Sequence, residues 1–323
     1  MRALNLIGAA FACGFAFGAP SALAQAWPAK PVTVVVPTTA GSGLDIIARF
    51  LADGLRSRAG QPFVVENRAG ANAAIGAQSV ARAAPDGYTV LVGAASTHGI
   101  NPYFFKNLGY DPVKDFQPVT TMFAIGLVLV SNPKILPVNS VAELTAYAKA
   151  RPGQLSYGSG NAFGRMTAEW YKQVAGVDIV HIPYKGVPQA LNDIMGGQVH
   201  FMFADATAGL NAAQSGKVRA LAVTAPKRVS TAPDVPTMTE SGLPGFVSYS
   251  WVALFFPANT SIEIARKLAD LTNSIMTSDK GREYLRKAGA DIFPGSPESL
   301  RKLVTEELAK WGAVAKKARI EPE

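Results

Sequence analysis

Four short stretches place hydroxyls, amides or a carboxylate directly after runs of strand-forming residues, where a small solute can be held. The first is Pro37-Thr38-Thr39-Ala40-Gly41-Ser42-Gly43-Leu44-Asp45. Gly41 and Gly43 allow a tight turn, so several backbone N–H groups and the positive terminus of a following helix can converge on one anion. The same stretch also reads as an ordinary strand-to-helix turn capped by Asp45. The second is Gly93-Ala94-Ala95-Ser96-Thr97-His98, where the Ser96 and Thr97 hydroxyls can donate to a carboxylate. Ser96 equally suits a helix cap, and His98 a buried structural imidazole. The third is Tyr157-Gly158-Ser159-Gly160-Asn161-Ala162-Phe163-Gly164, offering the Ser159 hydroxyl, the Asn161 amide and the apolar face of Phe163. The fourth is Asp205, a lone carboxylate after an apolar run, suited to a ligand hydroxyl or amine or to capping the next helix.

These groups suit holding better than reacting. No GxSxG elbow, HExxH pair, dinucleotide fingerprint or phosphate loop occurs, so no metal or cofactor is expected. A hydrolase built on Ser159 or Ser96 has only the usual chance pairing of a serine with one of three histidines, His98, His181 and His200. The single cysteine, Cys13, falls in an N-terminal segment ordered like a secretory signal: Arg2, an apolar run from Ala3 to Ala19, then Ala22-Leu23-Ala24. Residues 1–24 are therefore expected to be removed and the mature chain to reside in the periplasm. Lipid attachment at Cys13 is disfavoured by Ala10, where a large aliphatic residue is usual. The formal charge of +8 favours anionic partners. The basic residues are scattered and not interleaved with aromatics, so nucleic acid is not expected.

The elements that must position these loops alternate. Val32 to Val36, Phe63 to Val65 and Thr89 to Val92 read as strands, with helical spacing between them from Leu44 to Leu55 and from Ala73 to Ala83. A second set runs through strands at 125–130, 179–183, 199–203 and 220–224, with helices at 188–195 and 206–215. Ser140 with Glu143 reads as a capping box. After the strand 251–256, two helices are expected, capped by Thr260 with Glu263 and by Ser296 with Pro297. Strands apolar on both faces and separated by helices predict α/β units with covered parallel sheets.

Several pieces occur in an order that resembles the Bug-type (tripartite tricarboxylate transporter) solute-binding receptors. They include Trp27-Pro28-Ala29-Lys30-Pro31, Val65-Glu66-Asn67-Arg68-Ala69-Gly70-Ala71, Pro85-Asp86-Gly87-Tyr88-Thr89, His181-Ile182-Pro183-Tyr184-Lys185-Gly186 and Asp234-Val235-Pro236-Thr237. The resemblance implies a two-lobed periplasmic binding protein with mixed-sheet α/β domains at 25–124 plus 249–323 and at 125–248. It implies a monomer that closes on a small organic carboxylate, a dicarboxylate or an aromatic acid, for a membrane permease of the same transporter type. An alternative is presentation of the ligand to a sensor protein. The implied ligand contacts are Thr38 to Gly43, Ser96 to His98, Ser159, Asn161, Phe163 and Asp205. Many members carry an aromatic and further Gly and Thr residues in the first loop, where this chain has Thr39, Ser42 and Leu44, so the ligand of a relative does not transfer.

Overall fold

A computed structural model describes residues 27–229 and 231–322. The expected signal segment 1–24, including Cys13, lies outside the described residues. Strand β1 (Val32–Val36) is followed by α1 (Gly43–Ala59), β2 (Phe63–Asn67), α2 (Ala74–Ala81) and β3 (Thr89–Ala94). Next come a π-helical turn (Ser96–Ile100), β4 (Phe116–Ser131), α3 (Val141–Lys149), β5 (Ser156–Ser159) and α4 (Ala162–Ala175). The chain continues through β6 (Val180–Pro183), α5 (Val187–Gly196), β7 (Phe201–Asp205), α6 (Ala206–Gln214) and β8 (Arg219–Val223). It ends with β9 (Tyr249–Pro257), α7 (Ile262–Met276), α8 (Asp279–Lys287), β10 (Asp291–Ile292) and α9 (Pro297–Ala318).

The strands follow the order β2-β1-β3-β9-β4-β7-β5-β6, with β8 and β10 also paired to β4. Local sequence explains most of them. Val34, Val35 and Val36 are buried on both faces of β1, and α1 lays Ile47, Ala48, Leu51, Ala52 and Leu55 onto the sheet. Strand β4 is the exception, since only 125–130 of its sixteen residues read as strand. Pro118 and the pair Thr120-Thr121 interrupt its apolar run, and the structure absorbs them with register shifts against β9. A proline beside such an irregularity is tolerated because the ladder is already broken there.

Two expectations at the C-terminal end are corrected. The α7 cap is Ser261, whose hydroxyl accepts from Glu263 N–H, whereas Thr260 donates to the Pro257 carbonyl. Three helices follow β9, not two, because α8 starts at its own cap, Ser278. The Ser140 cap stands, but Glu143 reaches back to Asn139 N–H and not to Ser140.

Strand β4 belongs to two sheets. Residues Phe116 to Gly126 pair with β9, and Leu127 to Ser131 pair with β7 and β8. At that change of partner sits Thr224, fully buried: its N–H donates to the Leu127 carbonyl, and its Oγ1 accepts from Leu127 N–H and donates to the Ser248 carbonyl. One threonine thus ties the segment after β8 to the two strands that pass between the lobes, β4 and the start of β9. Helix α9 spans the same junction. Its Trp311 packs edge-on against Phe163 and Trp170 of α4, while Lys310 Nζ donates to the Val247 carbonyl.

Candidate functional site

Strand directions place the loops opposite one another. Strand β3 is antiparallel to β9, and β9 is antiparallel to β4, so β1, β2 and β3 run toward the second lobe. Strand β7 is antiparallel to β4 and parallel to β5 and β6, so those three run back toward the first. The carboxyl ends of both parallel sets therefore face each other, the usual place for a ligand in open α/β sheets. The gap can be read on β4. Ala94 at the end of β3 lies level with Phe123 through Val252, and Asp205 at the end of β7 lies level with Leu127. Four residues of one strand separate the two levels, about 13 Å at the usual rise. That spacing suits a small solute.

The cavity between the facing ends measures about 250 Å³ and takes Asn72, Phe104 and Phe105 from the first lobe. The second lobe supplies Ser159, Asn161, Ala162, Arg165 on α4, and His181, Pro183 and Tyr184 on and after β6. Of the residues expected from sequence, only Ser159 and Asn161 line it. Ser159 Oγ lies 2.7 Å from His181 Nε2. Burial, then the charges of Arg165 and Lys172, push His181 down to about 4, so it is neutral at pH 7. The Asn161 side chain caps α4 by accepting from Gly164 N–H at 2.7 Å, which leaves the first N–H groups of that helix at the cleft.

The first loop is organised around Asp45. Its carboxylate accepts from Gly41 N–H at 2.8 Å, Asn67 Nδ2 at 2.9 Å and Arg49 Nε at 3.0 Å. Hydrogen bonding from Arg49 leads the effects that hold its carboxyl down at about 2. Gly41, in the left-handed region at φ 79°, thus turns its N–H inward instead of toward a ligand. Asp45 does not cap the helix; Ser42 does, accepting from Asp45 N–H, while its hydroxyl also meets Thr38 Oγ1 at 2.7 Å. Gly43 is exposed at the first position of α1, and with Leu44 it keeps an N–H outside the capping network. Thr39 and Ala40 are exposed on the same turn.

Thr97, His98 and Phe163, expected as ligand contacts, are buried and do not line this cavity. Thr97 is fully buried, and its Oγ1 accepts from Ala94 N–H and donates to the Ala94 carbonyl, both at 2.9 Å. With that proton committed, His98 Nδ1–H donates to Thr97 Oγ1, and the ring stacks on Phe255 at 3.7 Å between centroids. His98 Nε2 is buried without a partner. Phe163 is buried against Trp311 and does not reach the cavity. Ser96 opens the π-helical turn, half-buried, and caps nothing. Asp205 occupies the cap position of α6 without bonding its N–H groups, and burial raises its pKa.

Burial pushes His98 down to about 3 from 6.5, so the folded protein excludes a proton that the unfolded chain accepts. Its contribution is complete above pH 6.5 and is lost as pH falls toward 3. Between pH 6.5 and 5 the loss is about 2 kcal/mol. His98→Phe, which keeps a ring between Phe255 and Phe116, is expected to flatten that part of the stability–pH curve in urea titrations. An unchanged slope would contradict the assignment.

Comparison with known proteins then decides the family. The profile described as Tripartite tricarboxylate transporter family receptor matches residues 47–320. The chain belongs to this receptor family. It is 35% identical to protein BugT of Bordetella pertussis over 297 residues, covering 91% of this chain and 90% of that protein. Among solved structures, R. palustris Rpa4515 with adipate is 38% identical with a TM-score of 0.78, covering 92% of this receptor and 100% of that chain. MatC (Rpa3494) from Rhodopseudomonas palustris with bound malate is 33% identical with a TM-score of 0.73, covering 90% and 100%. The receptor has the two-lobed α/β fold of periplasmic binding proteins.

Arg165, His181, Tyr184, Asn72, Phe104 and Phe105 line the cavity without having been singled out by local pattern. His181 and Tyr184 lie in one of the family-like segments, yet no local feature marks them as cleft residues. For Arg165 a signal exists: it stands four residues after the Asn161 cap, on the face of α4 that turns toward the same cleft.

Proposed function

We propose that this receptor is a periplasmic solute-binding protein that captures a small carboxylate between lobes formed by 25–124 plus 249–323 and by 125–248, for delivery to a tripartite tricarboxylate-type permease. The observation that carries the reading is the cavity between facing strand ends. It is lined by one cation, Arg165, and by no acid, so its field favours an anion. The free first turn of α4, where Asn161 and Ala162 line the cavity, adds backbone donors. Adipate and malate, bound by relatives, are members of the ligand class.

Ser159 beside His181 has the spacing of a nucleophile and its base, but other features favour holding. Burial and neighbouring cations keep His181 far below the pKa of a base poised for neutral pH, and no carboxylate orients its ring among the described residues. Calorimetric titration of the mature protein with adipate, malate, succinate and benzoate tests the reading. Saturable binding of at least one acid without turnover is expected. Silence toward every small carboxylate, or release of product from ester substrates, would overturn it.

A further inference from the structure

We propose that Asn101, which does not itself line the cavity, is the positioning residue for the first-lobe wall of the cleft. The inference rests on the capture reading above and concerns how the site is held, not which acid it takes. The first lobe lends Asn72, Phe104 and Phe105 to the cavity, and all three are bonded to Asn101. The Asn101 backbone carbonyl accepts from Phe104 N–H at 3.0 Å and from Phe105 N–H at 3.1 Å. Its side chain meets Asn72 twice: Oδ1 accepts from Asn72 Nδ2 at 2.7 Å, and Nδ2 donates to the Asn72 carbonyl at 3.0 Å. The Asn101 N–H closes the π-helical turn by donating to the Ser96 carbonyl. Asn101 is thus fully buried with each of its polar groups engaged.

The Asn72 arm carries strain. Ala71, Asn72 and Ala73 stand at φ 46°, 47° and 71°, three successive residues in the left-handed region. Asparagine tolerates that region, but alanine is disfavoured there because its Cβ crowds the following carbonyl. Ala71 and Asn72 are exposed, so packing does not hold them. The turn is held by Ala74 N–H on the Ala71 carbonyl at 2.9 Å and by the two bonds from Asn101. A strained backbone persists only where its surroundings over-determine it, and such places gather at ligand sites. Asn101 is anchored in its turn: Nδ2 also meets Tyr110 Oη at 3.4 Å, and that hydroxyl donates to the Thr97 carbonyl at 2.8 Å. Without the Asn101 side chain, residues 71–73 relax toward right-handed backbone and Asn72 leaves the wall. The backbone carbonyl still holds Phe104 and Phe105, so truncating the side chain isolates one arm of the anchor.

The test uses calorimetric titration with whichever of adipate, malate, succinate and benzoate the wild-type protein binds. Asn101→Ala is expected to weaken that binding by about tenfold, the scale of one lost hydrogen bond, and to speed hydrogen exchange at the Ala74 N–H. Ala71→Gly together with Ala73→Gly, added to Asn101→Ala, is expected to recover most of both losses, because glycine adopts positive φ without a Cβ penalty. A buried amide that only stabilised the fold would not be replaced by glycines on an exposed turn. Asn101→Ser repeats the comparison with a smaller truncation that keeps a polar group. Wild-type affinity in both Asn101 variants, a loss that the glycines leave in place, or failure of both variants to fold would overturn the proposal while sparing carboxylate capture. Wild-type protein silent toward all four acids would remove both.

Discussion

Gly160→Ala is expected to abolish tight ligand capture and to lower stability by about 3 kcal/mol, as forced overpacking against fixed atoms does. A Cβ at this position would overlap the backbone of Gly186 and Val187, where α5 begins, and not the end of a side chain that could swing aside. To make room, the turn after β6 must move outward. That turn follows His181, Pro183 and Tyr184, all of which line the cavity. The Ser159–His181 contact would lengthen with it. Urea midpoints and diacid titration read the two effects together. An alanine variant with wild-type midpoint and affinity would mean that the turn yields freely and does not shape the site.

Trp311→Ala is expected to cost about 4 kcal/mol, the usual scale for removing a large buried aromatic. The side chain is fully buried, touches Phe163 and Trp170 edge-on, and donates Nε1–H to Glu307 at 2.7 Å. Its removal leaves a hole where α9 meets α4. Lys310 also loses the ring that lies 4.4 Å from its ammonium. Binding should weaken as well, because Phe163 belongs to the first turn of α4, next to Ala162, which lines the cleft. A drop below 1 kcal/mol in denaturant titration would show that α9 does not brace that wall.

Much of this arrangement was legible in the residues. The valine run of β1, the alternation of strands with helices, and the caps at Ser140 and Ser296 depend on near neighbours, and local pattern finds them. Orientation depends on distant atoms and escaped it. Thr97 and His98 look like donors after a strand, but the Phe255 ring and the Ala94 backbone claim them. Gly41 looks like an open donor until Asp45, four residues on, folds back to take its N–H. Phe163 looks like a ligand platform until α9 returns from the far end of the chain to cover it. Helix α8 was missed because only Gly281 and Leu285 of its nine residues are buried, too few to print a periodic stripe. Arg165 carries only a weak signal, its place four residues after the Asn161 cap, because which face of α4 meets the cleft is settled by the fold.

Strand β4 also governs how the receptor must come apart. Its two halves complete different sheets, and Thr224 fastens the point between them, so unravelling either lobe bares a ladder edge of the other. Neither lobe can be excised as a self-sufficient piece. A solute that binds between them is therefore expected to raise the melting temperature of the entire chain in a single transition.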